Sequence, residues 1–311
     1  IIHRLSKPSA MWIPRPDVKT KGDTLNPIKA AELVREDWAK EWKVEDRALQ
    51  NQPRPWEHVE REKLPPITIR EVDRACGAFG ERTGIGADGF HPKCFRVVSD
   101  KGREKVAELL NLIERSLIWP EHQRWILYFL ILKPNGKDRP IGLLPSLIRM
   151  WEIIRSPYLK EWQRNNSSEW DCCRGGGKAS EDAVWDALVA HEAGEADGDP
   201  KKQDPEKESA ISTVMDLVKA FERVQLLMVW ECARRYDFPP TILAVVMTYM
   251  SYARRLIVSG SASRELQTYT AIVAGSKFSI ALLKMVLTKP MENMLSKYPS
   301  IKLKVYVDDI L

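Results

Sequence analysis

The residues best able to do chemistry are three aspartates. Asp308 and Asp309 stand side by side in KVYVDDIL, where an alternating apolar stretch ends. Asp216 closes a second β-prone run, ISTVMD, 92 residues upstream. Adjacent carboxylates repel one another, and Asp is disfavoured in strands. A divalent cation would compensate that charge, because Mg2+ takes one or two carboxylates together with phosphate oxygens. Two strands lying side by side would bring Asp216 and Asp308 to one sheet edge. That is the layout of a two-metal phosphoryl-transfer site. Taken singly, each feature has a plainer reading: a solvated turn for Asp308 and Asp309, and a helix N-cap for Asp216.

The surrounding pattern supplies elements to carry these residues. Ile301, Leu303, Val305 and Val307 alternate with Lys302, Lys304, Tyr306 and Asp308, which predicts a strand with one apolar face. WILYFLILKP reads as a buried strand, Asn135-Gly136 as a hairpin turn and RPIGLL as the return strand. ARRLIVSG and LQTYTAIVAG also read as strands. Helices are predicted over Ile28 to Ala48, from a Thr68/Glu71 capping box to Phe79, over Lys105 to Ile118, and from Ser146 to about Gln163. Ser180 caps another. Gln225 to Asp237, Thr241 to Met250 and a long segment from Ser276, with Pro290 expected to kink it, complete the set. Helices and strands mix without a regular βαβ rhythm, so the predicted class is α+β.

The 311 residues are enough for one large domain or two ordinary ones, and 44% are hydrophobic, so a sizeable core can form. Five cysteines, with no C-x-x-C spacing, suggest neither a disulfide framework nor a zinc site. The longest apolar run, Trp125 to Leu132, is far too short to span a bilayer, so no membrane partner is expected. Residues 191–210 form a polar, low-complexity insert, expected to be disordered, with seven acids and three bases. Its net charge of −4 leaves +9 on the rest of the chain, a balance that fits a nucleic-acid partner. The chain opens on Ile1 without a leader pattern and stops two residues after the paired aspartates, so a piece of a longer protein is expected.

VMDLVKAFERV resembles the first catalytic motif of reverse transcriptases, and YVDD resembles their aromatic-x-Asp-Asp motif. The likeness extends further. TGIGADGFHPK resembles the segment that opens the fingers, and ILKPNGKDRPIGLLPSLIRMWE the fingers hairpin. CCRGGGKASEDAV resembles the basic loop, and AGSKFS the glycine-serine loop before the palm helix. The motifs stand in family order from about Thr83 onward, and as a set they look most like the polymerase of a non-LTR, LINE-like retrotransposon. The resemblance implies a right-hand polymerase, with helical fingers carrying a β-hairpin and an antiparallel palm sheet backed by helices. It places an N-terminal helical and linker extension over 1–81 and the reverse transcriptase domain over 82–311. A return strand, the primer grip and the thumb would follow Leu311.

The implied activity is RNA-templated DNA synthesis on a primer 3′-hydroxyl, with an RNA template, a DNA primer and dNTPs as partners. The implied setting is an intracellular, nuclear ribonucleoprotein. Asp216 and Asp308 would be the principal ligands of Mg2+, or alternatively Mn2+, with Asp309 a third acid. Phe221, five residues after Asp216, would be the aromatic that excludes a ribose 2′-OH; by residue type it could equally be a core aromatic. Arg139 would meet the incoming triphosphate or the templating base. Lys133 would join it, and reads equally well as a solvated lysine. Arg174 and Lys178 would contact the template, or belong to a flexible surface loop. Gly275 would let backbone approach the nucleotide, or simply begin a helix. Tyr306 would support the primer end, or pack on the strand. This chain departs from the family pattern at Glu222, where Asp is usual, at Val273-Ala274-Gly275, where Pro-Gln-Gly is usual, and at Ile280, where Pro is usual. Three other readings remain: an inactive retroelement remnant that binds RNA, a group II intron-type or telomerase-type polymerase, and an unrelated metal-dependent nuclease or phosphatase.

Overall fold

The computed structural model describes residues 26–132, 138–172, 185, 189, 213, 215–258, 260–307, 309 and 310. The chain divides into two compact units. The first comprises Ile1–Ser156 and Phe221–Ser279, the second Pro157–Ala220 and Ile280–Leu311.

The first unit is built on a four-stranded mixed sheet. Strand β1 (Ile126–Leu132) pairs antiparallel with β2 (Asp138–Leu143), placing Leu127 opposite Leu143 and Ile131 opposite Arg139. The predicted hairpin strands are therefore present, while its Asn135-Gly136 turn lies outside the described residues. β2 is an edge strand, a position that tolerates Pro140, which has no N–H to give to a ladder. On its other side β1 runs parallel to β4 (Arg254–Val258), which turns back into β5 (Ser261–Ala262). Helix α1 (Pro27–Glu41) lays Ala30 and Ala31 against Val258, with Val34 and Leu130 beside them. The single helix expected over Ile28 to Ala48 is broken at Lys43, which takes a left-handed φ of 49°, and α2 (Arg47–Gln50) follows with Asp46 as its cap.

Helix α3 (Ile69–Gly77) opens on the expected capping box, with Thr68 and Glu71 each holding the other's backbone N–H. Helix α4 (Asp100–Ser116) ends at Leu117, whose left-handed φ of 60° closes the last turn. Helix α5 (Ser146–Asn165) starts where Asp88 accepts hydrogen bonds from the Ser146 N–H at 2.8 Å, the Ser146 hydroxyl and Gln123 Nε2 at 3.0 Å. One glycine of TGIGADG has a matching role. A Cβ on Gly86 would meet the Leu144 carbonyl oxygen at 2.6 Å, so that loop can press against the end of β2 only without a side chain.

Helices α6 (Ala220–Arg223) and α7 (Leu226–Arg235) lead to α8 (Pro240–Met250), which is apolar on nearly every face and buried accordingly. LQTYTAIVAG does not form the expected strand. It makes isolated bridges, from Thr270 to Gln225 and from Leu266 to Arg254, and Ala271 interrupts it with a φ of 74°.

The second unit holds a small antiparallel sheet, in the order β3 (Met215–Asp216), β7 (Asp309–Ile310), β6 (Val305–Tyr306). Trp170 to Cys172 run alongside β6, with the Val305 N–H donating to Trp170 O at 2.7 Å and the Cys172 N–H to Val305 O at 2.9 Å. Helix α9 (Ser279–Lys297) begins three residues later than expected, contains Pro290, and contributes Met291 to a core with Trp170, Leu303, Val305 and Ile310. The predicted alternation holds from Leu303 to Tyr306. The strand stops there, because Val307 turns at a φ of 58°. The return strand expected beyond Leu311 therefore already begins at Asp309. The helix capped by Ser180 and the 191–210 insert lie outside the described residues. The described residues are thus α+β, with one mixed and one antiparallel sheet.

One buried ion pair ties the first unit together. Arg155 on α5 donates to both oxygens of Glu114 on α4, at 2.6 and 2.7 Å, and to Pro65 O at 2.8 Å. Trp151 Nε1 adds a bond of 2.8 Å to the same carboxylate. Removing one partner of such a pair strands a buried charge. Glu114→Ala should therefore cost about 3–5 kcal/mol in denaturant unfolding, whereas breaking the exposed Lys105–Glu108 pair should cost less than about 1 kcal/mol. Equal losses would contradict this ranking.

Candidate active site

Ladder register builds the acidic centre. Asp216 on β3 stands opposite Asp309 on β7, and Asp309 stands opposite Tyr306 on β6. Directly opposed residues share a face, with Cβ atoms about 4.5–5.5 Å apart. Asp216, Asp309 and Tyr306 thus form one row, exposed to solvent. The neighbouring row explains why this face points outward. Val305 and Ile310, opposite each other, are buried in the Trp170–Met291 core, while Met215 at the sheet edge stays partly exposed.

Opposed like charges destabilise a sheet pair. Among the described residues, neither the Asp216 nor the Asp309 side chain has a salt-bridge or hydrogen-bond partner. Asp308 lies outside the described residues, as do Lys133, Arg174 and Lys178. Among the described residues no group of three or more His, Cys, Asp or Glu side chains is placed to hold a metal ion. Asp216 and Asp309 are the two carboxylates brought together there, and their hard oxygens are the donors that Mg2+ and Mn2+ prefer.

The remaining described candidates belong to the first unit. Arg139 is exposed, opposite Ile131 at the end of the β1–β2 ladder nearest the connecting residues 133–137. Phe221 is half-buried in α6, and its carbonyl accepts from the Ile272 N–H at 2.9 Å. Gly275 has a φ of 126°, and a Cβ there would fall 2.3 Å from the Gly142 carbonyl oxygen of β2. The close approach at this glycine is that of the protein's own hairpin strand. The Gly142 N–H also donates to Ala274 O at 2.7 Å. Residues 271–275 are therefore stitched to Phe221 on one side and to β2 on the other.

Two buried charges fix that loop, and the residue pattern alone did not single them out. Arg254, fully buried between the rings of Trp42 and Tyr128, donates to Thr270 O at 3.2 Å and to Ala271 O at 2.6 Å. Glu152 on α5 accepts from Ser276 Oγ at 2.5 Å, Tyr249 Oη at 2.9 Å and the Lys277 N–H at 3.4 Å. The signal for Glu152 was present in SLIRMWEIIRS. It is a carboxylate four residues after Ile148, on the stripe that the helix buries. Burial pushes its carboxyl up to about 7, against the opposing pull of the Ser276, Tyr249 and Lys277 bonds. Burial likewise raises the Tyr249 hydroxyl, helped by the Glu152 charge.

Residues 131–311, more than half the chain, match the family model described as reverse transcriptase (RNA-dependent DNA polymerase). No curated protein matches the sequence. Among the described residues no helix is long and apolar enough to cross a membrane.

The raised carboxyl of Glu152 gives a pH dependence of defined sign. Its folded value of about 7 exceeds its ordinary value of 4.5, so folding takes up a proton between the two. The stability linked to it is fully present below the ordinary value and is lost as pH rises through the folded one. Glu152→Gln cannot ionise. Its melting temperature should gain on that of the parent between about pH 5 and about pH 8. A difference that stays constant across that range would contradict the assignment.

Proposed function

The chain belongs to the reverse transcriptase (RNA-dependent DNA polymerase) family, and we propose that its protein copies RNA into DNA with the row Asp216–Asp309 at the catalytic centre. The observation that carries this reading is the register of β3 on β7, which sets two carboxylates opposite each other on the solvent face of a sheet whose other face packs on the Trp170–Met291 core. Reverse transcriptases generally use divalent metals. The donor set suits Mg2+, or Mn2+, with Asp216, Asp308 and Asp309 as ligands. Held by these carboxylates, such ions would supply activation of a primer 3′-hydroxyl and compensation of the charge on a departing pyrophosphate.

The chain's own residues do the rest in this proposal. Phe221 fills the space that a ribose 2′-OH would need, favouring dNTPs. Arg139 and Lys133 bind the triphosphate through charge-assisted hydrogen bonds. Gly275 leaves backbone open to the templated nucleotide, while Arg174 and Lys178 hold the RNA template. Tyr306, in the same row as the acids, supports the end of the DNA primer. The finer reading extends to a right-hand polymerase over 82–311, preceded by a helical and linker extension. Its parent would be a non-LTR retrotransposon working in a nuclear ribonucleoprotein. What supports that last step is the order of the motifs and the positive balance of the chain outside 191–210.

Primer extension on an RNA template by the intact protein tests this. Asp309→Asn and Asp216→Asn should each abolish dNTP incorporation while leaving the melting temperature unchanged or raised, since each relieves a like-charge pair. Incorporation equal to that of the parent in either variant would contradict the proposal.

A further inference from the structure

The Glu152 carboxylate lies where two helices meet the loop before α9. Ser276 and Lys277 belong to the loop, Tyr249 to α8, and Glu152 itself to α5. Glu152 at 2% exposure, Tyr249 at 0% and Ser276 are buried, while the Lys277 side chain is exposed and only its backbone N–H reaches the carboxylate. Three donors converge on this one group, and Tyr249 Oη and Ser276 Oγ are themselves 3.4 Å apart. Such an arrangement is costly. A buried carboxylate loses its hydration, and a hydrophobic residue would fill the space between α5 and α8 without that penalty. Holding the loop in one place is what the group offers in return.

The loop is held by several single bonds rather than by a ladder. It is not part of a regular strand, and it carries left-handed backbone at Ala271 and Gly275. Its other anchors are the Arg254 bonds to Thr270 and Ala271, the Ile272 N–H to Phe221 O, the Ala274 O to the Gly142 N–H, and the Ser279 hydroxyl to Val273 O at 2.6 Å. Glu152 is the charged anchor at the end that carries Gly275. Loss of its bonds would free Ser276 and Lys277, and through them the contact of Gly275 with Gly142.

We propose that Glu152 is a positioning residue for nucleotide binding, acting through Ser276 and the Lys277 N–H to fix Gly275 against the fingers hairpin. This rests on the reading of the chain as an RNA-copying polymerase in which Gly275 faces the nucleotide. Electrostatics are consistent with that role. Lys277 lowers the Glu152 carboxyl, and Arg149 of the same helix and the Tyr249 hydroxyl both feel its charge.

Two measurements on the full chain test the role. In hydrogen exchange, Ser276→Ala and Glu152→Gln should speed exchange of peptides covering 272–278 about tenfold, the scale of losing one hydrogen bond to a charged group, with no change over α3 and α4. Glu152→Gln keeps the shape but turns an N–H toward the Lys277 N–H, so it should release the loop while staying folded. In primer extension, both variants should raise the KM for dNTP about tenfold and leave kcat within about threefold. Unchanged exchange over 272–278 would overturn the clamp. Faster exchange with an unchanged KM would overturn the positioning role and leave a purely structural bond. A parent that cannot extend a primer would overturn the polymerase reading itself, whereas variant defects beside an active parent bear on Glu152 alone.

Discussion

The second unit depends on a conflict held in place. Two carboxylates, Asp216 and Asp309, face each other across a ladder that their repulsion opposes. What keeps the strands together lies on the reverse face, where Val305 and Ile310 pack with Trp170, Leu303 and Met291. Because side chains alternate along a strand, burying that set forces the acids outward. A slip of one residue would turn the carboxylates into the core, where neither has a partner. The pairing of Trp170–Cys172 with Val305 adds backbone hydrogen bonds on the far side of β6. The buried Lys284–Asp171 pair, at 2.5 Å, anchors that added segment to α9.

The first unit uses buried polar groups differently. Glu114–Arg155, Arg254 and Glu152 each satisfy irregular backbone or tie one helix to the next. Asp88 does the same at the start of α5. These groups define loops that no ladder defines. The glycine-rich TGIGADG and AGSKFS segments are shaped by close contact with the β1–β2 hairpin, at Gly86 against Leu144 and at Gly275 against Gly142. Glycine is required in both places because the approaching atom is backbone, which cannot yield.

The sequence disclosed the elements with strong periodicity or chemistry. The Thr68/Glu71 box, the apolar run of β1 and the all-apolar α8 follow from local rules, and each forms as expected. The opposition of β3 and the final hairpin was legible because Asp216 and the aspartate pair both end apolar runs. The exact register was not. Register depends on where the chain turns, and the turn falls at Val307 although a β-branched residue disfavours a φ of 58°. LQTYTAIVAG misled for a related reason. Its β-branched content favours a strand, but Arg254 bonds two of its carbonyls and Ala271 takes a left-handed conformation, so tertiary contacts override propensity. Glu152 and Arg254 were missed because a buried charge looks like a surface one until its partners, distant in sequence, are known.

The central claim is that the acids on β3 and β7 are a cation site rather than an awkward sheet edge. Titration of the protein with Mn2+, followed by loss of the free-ion electron paramagnetic resonance signal, tests it most directly, beside Asp216→Asn and Asp309→Asn. The account predicts saturable binding by the parent that each substitution weakens at least about tenfold, as loss of a charged ligand should. Binding of the same strength in all three proteins, or none in the parent, would contradict it.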